Sequence, residues 1–223
     1  MSLASYKKKR NFDNTPEPET ANIKQKGKLI FVVQRHSATR LHYDFRLEIN
    51  GVLISWAIPK GPSMYPSDKR LAMMVEDHPI DYANFQGVIP EGNYGAGIVE
   101  IWDKGTYELS PENDSDGLES IQKGSLKFIL YGNKLQGRFA LIKMKKGAPG
   151  AWMLIKEKDE FASGIPYDSE DHLDASSPIN QQLTASITKK LNAVPSKKVQ
   201  AKAVSPKNIN ASTPKAESKK KAL

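Results

Sequence analysis

Between residue 28 and about residue 160, hydrophobic side chains occur in short runs separated by Gly, Pro and Asn. The runs are rich in β-branched and aromatic residues, which favours strands over helices. Asn50-Gly51 lies between two such runs, and both residues tolerate the positive φ angles of a type I′ hairpin turn. The predicted strands are 29–34, 41–49, 52–58, 70–76, 97–103, 125–130, 138–144 and 151–157. No apolar pattern long enough for a core helix interrupts them, so we predict a mainly β chain that forms an antiparallel barrel or sandwich.

The strand 41–49 alternates apolar and polar residues in an unusual way. Its odd positions up to 47 are Leu, Tyr, Phe and Leu, whereas the even positions of 40–46 are Arg40, His42, Asp44 and Arg46. Because successive side chains of a strand point to opposite faces, the odd residues should enter the core and the even residues should share the other face. His42 and Asp44 are then about 7 Å apart along the strand, so the tips of their side chains can converge on one ion.

A third candidate ligand precedes this strand. His36 lies six residues before His42, and the small residues of 37–39 permit a bend that brings it close. Two imidazoles and one carboxylate leave coordination positions open for water and substrate, which is typical of a catalytic metal site. The alternative is a plain hydrogen bond between His and Asp on the sheet surface, with no metal.

Basic residues around the candidate ligands indicate what such a metal acts on. Arg40 and Arg46 flank it on the same face, Lys60 ends the next strand and Arg70 begins another. Guanidinium groups favour bidentate contacts with phosphate, so this combination predicts phosphoryl chemistry. The alternative is that Lys60 and Arg70 only solvate strand ends. His78, which follows two carboxylates, could contact phosphate, donate a proton or orient a metal ligand.

Two further features are interpreted as structural. The segment 91–97, EGNYGAG, has the glycines of a phosphate-binding loop, but no Gly-Lys-Ser/Thr follows and a strand comes next, so a tight turn is predicted. His172 lies beyond the predicted core between two aspartates, where we expect a solvated linker residue.

Composition and charge limit the function classes. The 223 residues include no cysteine, which excludes disulfides, thiolate metal sites and cysteine nucleophiles. The apolar runs are too short for a membrane helix or a signal peptide, so we expect a soluble intracellular protein. The net charge of +8 comes from the C-terminal end, because residues 189–223 hold ten Lys and one Glu. Such a basic arm either increases solubility or contacts phosphates, and both interpretations remain open.

The chain divides into three regions. We assign 1–27 to an N-terminal segment, 28–165 to the β domain, and 166–223 to a linker, a short helix and a disordered Lys-rich tail. The helix is predicted over about 178–192, where Ile179, Leu183, Ile187 and Leu191 recur every four residues after Ser177-Pro178.

Four blocks of sequence together resemble a known family. They are 31–48, FVVQRHSATRLHYDFRLE, then 55–63, SWAIPKGPS, then 75–82, VEDHPIDY, and finally 87–97, GVIPEGNYGAG. They resemble the 3′-phosphoesterase domain of bacterial DNA ligase D, and the resemblance extends over about 6–160. It implies a small antiparallel β-barrel of about eight strands and a manganese-dependent hydrolase. That enzyme removes a 3′-terminal ribonucleoside from a primer strand and then the remaining 3′-phosphate, which leaves a 3′-hydroxyl for repair ligation.

The resemblance also implies residue roles. The implied metal ligands are His36, His42 and Asp44, and the implied catalytic set adds Arg46 and His78 to His42 and Asp44. The implied substrate-binding residues, with Arg40 added from its place on the strand, are Arg10, Glu17, Arg40, Lys60, Arg70, Glu76 and Tyr82. One position departs from the family pattern, because Asn11 stands where the family has an acidic residue. We therefore expect removal of the ribonucleoside to be more affected than removal of the phosphate, unless Asp13 compensates.

The implied partners are DNA or DNA/RNA primer–template 3′ ends, and we expect a monomer in the cytoplasm, associated with the nucleoid. The chain lacks the Lys-x-Asp-Gly motif of a ligase, so separate ligase, polymerase and Ku-like proteins are expected. Two alternatives differ in class. One is an iron- and 2-oxoglutarate-dependent oxygenase with His78 or His172 as third ligand. The other is a non-catalytic module that binds DNA ends through its basic tail.

Overall fold

Eight antiparallel strands close a barrel, as predicted. The computed structural model describes residues 3–19 and 27–177, together with 179, 181, 182 and 185. Its strands are β1 Leu29–Ser37, β2 Leu41–Ile49, β3 Val52–Ile58, β4 Lys69–Met74, β5 Gly87–Ile89, β6 Gly97–Leu109, β7 Ser125–Gly132, β8 Gln136–Lys143 and β9 Ala151–Lys156. The order around the barrel is β1-β2-β3-β4-β9-β8-β7-β6, and β6 pairs with β1 to close it, while β5 adds to the other edge of β6.

Helical elements are short. They are the α-helices α1 Leu3–Lys8 and α2 Gly117–Lys123 and the 3₁₀ segments Ile80–Asn84 and Ser169–His172. None of the described helices is long and apolar enough to span a membrane.

The hairpin predicted at Asn50-Gly51 is present. Ile49 pairs with Val52, and the φ angles of Asn50 and Gly51 are 53° and 79°. Strand β6 is longer than predicted, because it continues past 103 through a stretch with few apolar residues to Leu109. It is held there by pairing with β7, and Gly105 makes this possible, since an added Cβ would lie 2.1 Å from the carbonyl oxygen of Tyr131.

The alternation along β2 has the predicted outcome on the inner face. Tyr43, Phe45 and Leu47 are buried inside the barrel, where they pack with large side chains such as Trp56 and Trp152. Full burial of each such side chain contributes about 1.5–3 kcal/mol to folding. The interior of the barrel is therefore filled by side chains. A ligand has more room on the outer surface of the strands.

The outer face of β1–β3 is covered rather than open to solvent. A second apolar cluster, which includes Tyr6, Val32, Leu53 and Tyr82, packs the N-terminal segment and the 3₁₀ segment Ile80–Asn84 against these strands. The hydroxyl of Tyr6 donates a hydrogen bond to the carbonyl of Pro18 at 2.6 Å. The polar side chains on this face of β2 consequently lie in a partly enclosed space.

Part of the segment assigned to a linker packs against one end of the barrel. Ser169 is fully buried, its hydroxyl donates to the carbonyl of Pro62, and its own carbonyl accepts from Trp102 Nε1. An added Cβ on Gly61 would lie 2.3 Å from Ser169 Oγ, so the glycine permits this close approach. Of the helix predicted over 178–192, only 179, 181, 182 and 185 are described, all as helical, and the Lys-rich tail lies outside the described residues.

Candidate metal and phosphate site

Three potential metal ligands meet on the outer face of β1 and β2. The register of these strands places His36 opposite His42, with Asp44 on the same face of β2. One ligand atom from each residue lies within 4.8 Å of the others, and this is the one such group among the described residues. His36 Nδ1 is 3.5 Å from Asp44 Oδ2, and His42 Nε2 is 3.6 Å from Asp44 Oδ1. These separations exceed those of normal hydrogen bonds and suit atoms that share one ion.

Backbone carbonyls orient both imidazoles. His36 Nε2 lies 2.9 Å from the carbonyl oxygen of Gly95, and His42 Nδ1 lies 2.9 Å from that of Arg40. A carbonyl only accepts, so these nitrogens donate to it, and the second nitrogen of each ring is the one that faces Asp44 and that a metal ion would bind. Metal-binding histidines are held in the same way. Two imidazole nitrogens and a carboxylate therefore fit a divalent transition-metal ion.

Arg46 is fixed beside the carboxylate. Its Nη2 donates to Asp44 Oδ2 at 3.0 Å, its Nε to Gln34 at 2.7 Å and its Nη1 to the hydroxyl of Ser55 at 2.9 Å. Burial alone would raise the pKa of Asp44, but Arg46 and the neighbouring histidines outweigh it and hold that pKa well below its usual range. Asp44 is therefore a carboxylate at neutral pH.

His78 lies between two guanidinium groups. Its Nδ1 is 2.8 Å from Arg46 Nη1, and its Nε2 is 3.3 Å from Arg10 Nη2. Two backbone hydrogen bonds with Leu53 fix the position of the residue. Burial, together with the charges of Arg46 and Arg10, holds the pKa of His78 well below its usual value. The imidazole is therefore neutral while no anion lies among these groups.

The N-terminal segment supplies Arg10 to the same place. Arg10 Nε donates to Glu17 Oε1 at 2.8 Å, and its Nη1 donates to Glu76 Oε1 at 3.2 Å. The hydroxyl of Tyr82 donates to the same Glu17 oxygen at 3.0 Å. Glu17 itself is 4% exposed and does not line the cavity, so it orients Arg10 and Tyr82 from beneath.

These groups surround a cavity of about 260 Å³. Its lining consists of Arg10, His36, Ala38, His42, Asp44, Arg46, Ala57, Val75, Glu76, His78, Tyr82, Ile89, Tyr94 and Gly95. The metal-ligand group lies among hydrogen-bond donors and cationic side chains. Such an arrangement can hold an anion next to a metal ion.

Arg70, predicted to bind substrate, does not lie at this cavity. Alternate residues of β4 face opposite sides, and Arg70 shares its side with Ala72, which is buried in the barrel. Its Nη2 donates to Asp68 Oδ2 at 2.9 Å and to the carbonyl of Tyr167 at 2.6 Å. Strand parity turns Arg70 away from Asp44, so Arg70 does not join the metal-ligand group, and its role in substrate binding stays a prediction.

Arg40 and Lys60 are also absent from the lining. Both are exposed in turns, Arg40 just before β2 and Lys60 just after β3. Arg40 contacts the candidate site through its backbone carbonyl, which orients His42. Asn11 and Asp13 are likewise exposed, and the side chain of Asn11 accepts a hydrogen bond from the amide of Asp13.

Several residues of the site were not singled out from the sequence. Gln34 and Ser55 fix Arg46, and both could have been found by extending the alternation of β2 to its neighbours, because Gln34 pairs with Asp44 and Ser55 with Arg46. Tyr94 lies in the loop predicted to be a tight turn, and the loop does turn tightly, with φ angles of 88° at Gly92 and 77° at Gly95. No pattern in the sequence indicated that its side chain reaches the cavity.

The position of His172 bears on the oxygenase alternative. His172 stacks on Tyr167 with ring centroids 4.2 Å apart, and it does not line the cavity of the metal-ligand group. His78 contacts guanidinium groups instead of the ligand atoms. The third member of the group is His36, whereas that alternative required His78 or His172.

The fold and the site together define a class: a small antiparallel β-barrel that carries a candidate metal-and-phosphate site on its outer face. Residues 34–143 match the family described as the DNA ligase D 3′-phosphoesterase domain. Over these residues the chain belongs to that family, as the sequence resemblance indicated.

Curated relatives agree with this assignment. The multifunctional non-homologous end joining protein LigD of Pseudomonas aeruginosa is 49% identical over 166 residues, which cover 73% of this chain and 19% of that protein. The corresponding DNA repair protein of Mycobacterium tuberculosis is 43% identical over 159 residues, 71% of this chain and 20% of that protein. The protein of Mycolicibacterium smegmatis is 42% identical over 161 residues, 71% of this chain and 21% of the relative. The chain thus spans about a fifth of the length of these relatives.

Proposed function

We propose that this protein is a metal-dependent phosphoesterase that processes 3′ ends of primer strands during DNA end joining. It removes a 3′-terminal ribonucleoside and then the 3′-phosphate, and the product is a 3′-hydroxyl ready for ligation. The observation that carries the proposal is that one imidazole nitrogen of His36 and one of His42 converge on the carboxylate of Asp44 beside the guanidinium of Arg46. Membership of the 3′-phosphoesterase family supports it.

The proposed cofactor is Mn²⁺, held by His36 Nδ1, His42 Nε2 and a carboxylate oxygen of Asp44. A divalent ion held by these residues would polarise a phosphoryl oxygen and make a bound water more acidic. The low pKa of Asp44 keeps the carboxylate ready to bind the cation at neutral pH.

The chain's own residues bind and neutralise the phosphate. Arg46 is locked by three hydrogen-bond partners, so it is already oriented before substrate arrives. Arg10 and His78 lie beside it, and a bound phosphate offsets the two guanidinium charges that, together with burial, hold the pKa of His78 below its usual value. Donors of this kind each lower the barrier by about 3 kcal/mol, because they stabilise the charge that grows on the phosphoryl oxygens.

The substrate, partners and location follow from the same proposal. A 2′-hydroxyl on the sugar next to the scissile phosphate assists the first step, which accounts for a preference for ribonucleotides. The substrates are DNA or DNA/RNA primer–templates, and ligase, polymerase and Ku-like functions are supplied by other modules or chains. The protein acts as a monomer in the cytoplasm, on nucleoid DNA.

One assay tests the proposal and its alternatives. A primer–template with one 3′-terminal ribonucleotide, and a second with a 3′-phosphate, are incubated with Mn²⁺ under nitrogen and resolved on a sequencing gel. We expect the first to be shortened to a 3′-phosphate and then a 3′-hydroxyl, and the second to be dephosphorylated, with neither product in EDTA. Absence of both products contradicts the proposal and favours the DNA-end-binding module. Turnover that requires oxygen and 2-oxoglutarate favours the oxygenase.

A further inference from the structure

A half-exposed tyrosine stands at the mouth of the cavity. Tyr94 lines the cavity, yet its side chain is 50% exposed. Lys9 Nζ lies 4.5 Å from the centre of its ring and 3.3 Å from its hydroxyl, and Arg10 Cζ lies 5.6 Å from the ring centre. Exposure alone is ordinary for a tyrosine. What distinguishes Tyr94 is that its ring stands at the mouth of the cavity beside two cationic side chains, where it offers an aromatic face to a ligand that enters.

The loop that carries Tyr94 is rigidly placed. The next residue, Gly95, accepts the hydrogen bond from His36 Nε2, so the loop is tied to a candidate metal ligand. Gly97 packs on the backbone of Ser37, and an added Cβ there would lie 2.2 Å from the carbonyl oxygen of Ser37. The backbone that carries the ring is consequently tied to the metal-ligand group. Such preorganisation reduces the entropy that binding would otherwise cost.

The path by which a bound strand leaves the cavity determines which part of the strand contacts the ring of Tyr94. The floor is formed by side chains of β2 and β3, including Asp44 and Ala57, so a strand whose phosphate lies among Arg46 and His78 must leave through the mouth. A nucleotide carries its base and its 3′-phosphate on the same sugar, which brings that base to the mouth. This nucleotide, on the 5′ side of the scissile phosphate, is common to both proposed substrates.

We propose that Tyr94 is the stacking platform for the base of the nucleotide whose 3′-phosphate is hydrolysed. The inference rests on the proposed function and adds to it the contact that selects nucleic acid over other phosphoesters. Aromatic side chains stack on any base, so the platform gives affinity without sequence preference. Lys9 donates to Glu76 Oε2 at 3.1 Å, and its side chain is 40% exposed, so the same ammonium group can also meet the backbone phosphate on the 5′ side of that nucleotide.

The kinetic test compares two exposed tyrosines. With a 3′-phosphate primer–template, Tyr94→Leu should raise KM about tenfold and change kcat much less. The variant loses the stacking contact but keeps the side chains that bind the phosphate. Tyr94→Phe should behave as wild type, because it keeps the aromatic face. The matched control is Tyr131→Leu, since Tyr131 is 48% exposed on β7 and does not line the cavity. It should leave both constants unchanged.

A substrate without the terminal base separates stacking from a structural role. When the nucleotide that carries the 3′-phosphate is abasic, the KM of wild type should rise about tenfold. The KM of Tyr94→Leu should be the same as on the normal substrate. If the KM of Tyr94→Leu exceeds that of wild type by the same factor on the abasic and on the normal substrate, the inference is overturned, because the leucine would then disturb the site itself. An unchanged KM for Tyr94→Leu on the normal substrate would overturn it as well.

A binding measurement keeps this inference distinct from the proposed activity. A single-stranded oligonucleotide with 2-aminopurine as its 3′-terminal, 3′-phosphorylated base is titrated in EDTA, where no metal-dependent hydrolysis occurs. Quenching of the 2-aminopurine by wild type and Tyr94→Phe, and its loss in Tyr94→Leu, supports the platform even if hydrolysis is never observed. Equal quenching by all three proteins contradicts the platform and leaves the phosphoesterase proposal intact.

Discussion

Strands β1 and β2 carry polar side chains on both of their faces, and these side chains are paired differently on the two faces. On the inner face, at one end of the barrel, Arg35 Nε and Nη2 donate to the two oxygens of Glu170 at 2.8 and 2.6 Å. The hydroxyl of Tyr43, which pairs with Arg35 across the strands, donates to the same carboxylate. The charges of this inner cluster are matched by short hydrogen bonds from within the chain.

The outer face holds the metal-ligand group in a more open arrangement. His36 and His42 are 3.5 and 3.6 Å from the carboxylate oxygens of Asp44, and carbonyl oxygens accept from their other ring nitrogens, so the nitrogens that face Asp44 are the ones placed to bind a metal. Both clusters are partly buried, charged and built on the same strands. What distinguishes them is whether atoms remain placed to bind a metal, so this criterion, rather than charge or burial, identifies the candidate catalytic face.

The largest effect is expected from removing a ligand of the outer group. His42→Ala should abolish Mn²⁺ binding, measured by isothermal titration calorimetry, and reduce 3′-phosphatase turnover at least a thousandfold, because metal, water and phosphate are then no longer held together. The barrel should stay folded, since His42 lies at the cavity and outside the apolar core.

His172→Ala is the matched control for this prediction. His172 stacks on Tyr167 away from the metal-ligand group, so its loss should leave Mn²⁺ affinity and turnover unchanged. Retained phosphatase activity in His42→Ala would contradict the assignment of the outer group as a metal site.

A smaller effect is expected from a residue that faces the phosphate and not the metal. His78→Ala should lower kcat about a hundredfold while Mn²⁺ affinity is retained, because one stabilising group for the phosphoryl oxygens is lost. Calorimetry and steady-state kinetics on the same sample separate the two quantities. An unchanged kcat would reduce His78 to a structural role, and a loss of Mn²⁺ binding would place it with the ligands.

The outer face could be predicted to a large extent because it follows local rules. Strand alternation places His42 and Asp44 on one face, and the Asn50-Gly51 turn fixes the register with β3. Arg70 shows where such reasoning fails. A strand boundary alone does not say which face a residue takes, and Arg70 lies on the inner side with Ala72.

The inner cluster could not be predicted for a different reason. Glu170 is separated from Arg35 by 135 residues and comes from a segment whose composition resembles a linker. Such a pairing depends on how the chain closes the end of the barrel, and nothing near either residue specifies it. Glu17, whose contact with Tyr82 spans 65 residues, was likewise not indicated by local pattern and was named only through the family resemblance.

The inner cluster should affect stability without affecting catalysis. Glu170→Ala removes the carboxylate that accepts two hydrogen bonds from the buried guanidinium of Arg35. Breaking a buried pair costs about 3–5 kcal/mol, and the 36% exposure of the Glu170 side chain reduces the expected loss to about 2 kcal/mol. Urea denaturation should show this loss, and kcat/KM should not change. A fall in kcat/KM at full stability would mean that the two faces are coupled.

The smallest expected effect is the pH dependence of the stabilisation that Glu170 contributes through its pair with Arg35. Burial alone would raise the pKa of Glu170, but hydrogen bonds from Arg35 and Tyr43 outweigh it and hold the pKa below its usual value. A group whose pKa is lowered by folding stabilises the native state fully above its unfolded pKa of about 4.3. That stabilisation is lost as the pH falls through the folded pKa.

The test compares wild type with Glu170→Gln, which cannot carry the charge. Their difference in urea midpoint should be constant near neutral pH and should narrow below about pH 4.3, as protonation of Glu170 removes the charge in wild type too. A difference that stays constant to pH 3 would show that packing, and not charge pairing, holds this cluster together. In that case the inner cluster would be held by the packing of its side chains, and pairing of its charges would no longer distinguish it from the outer group.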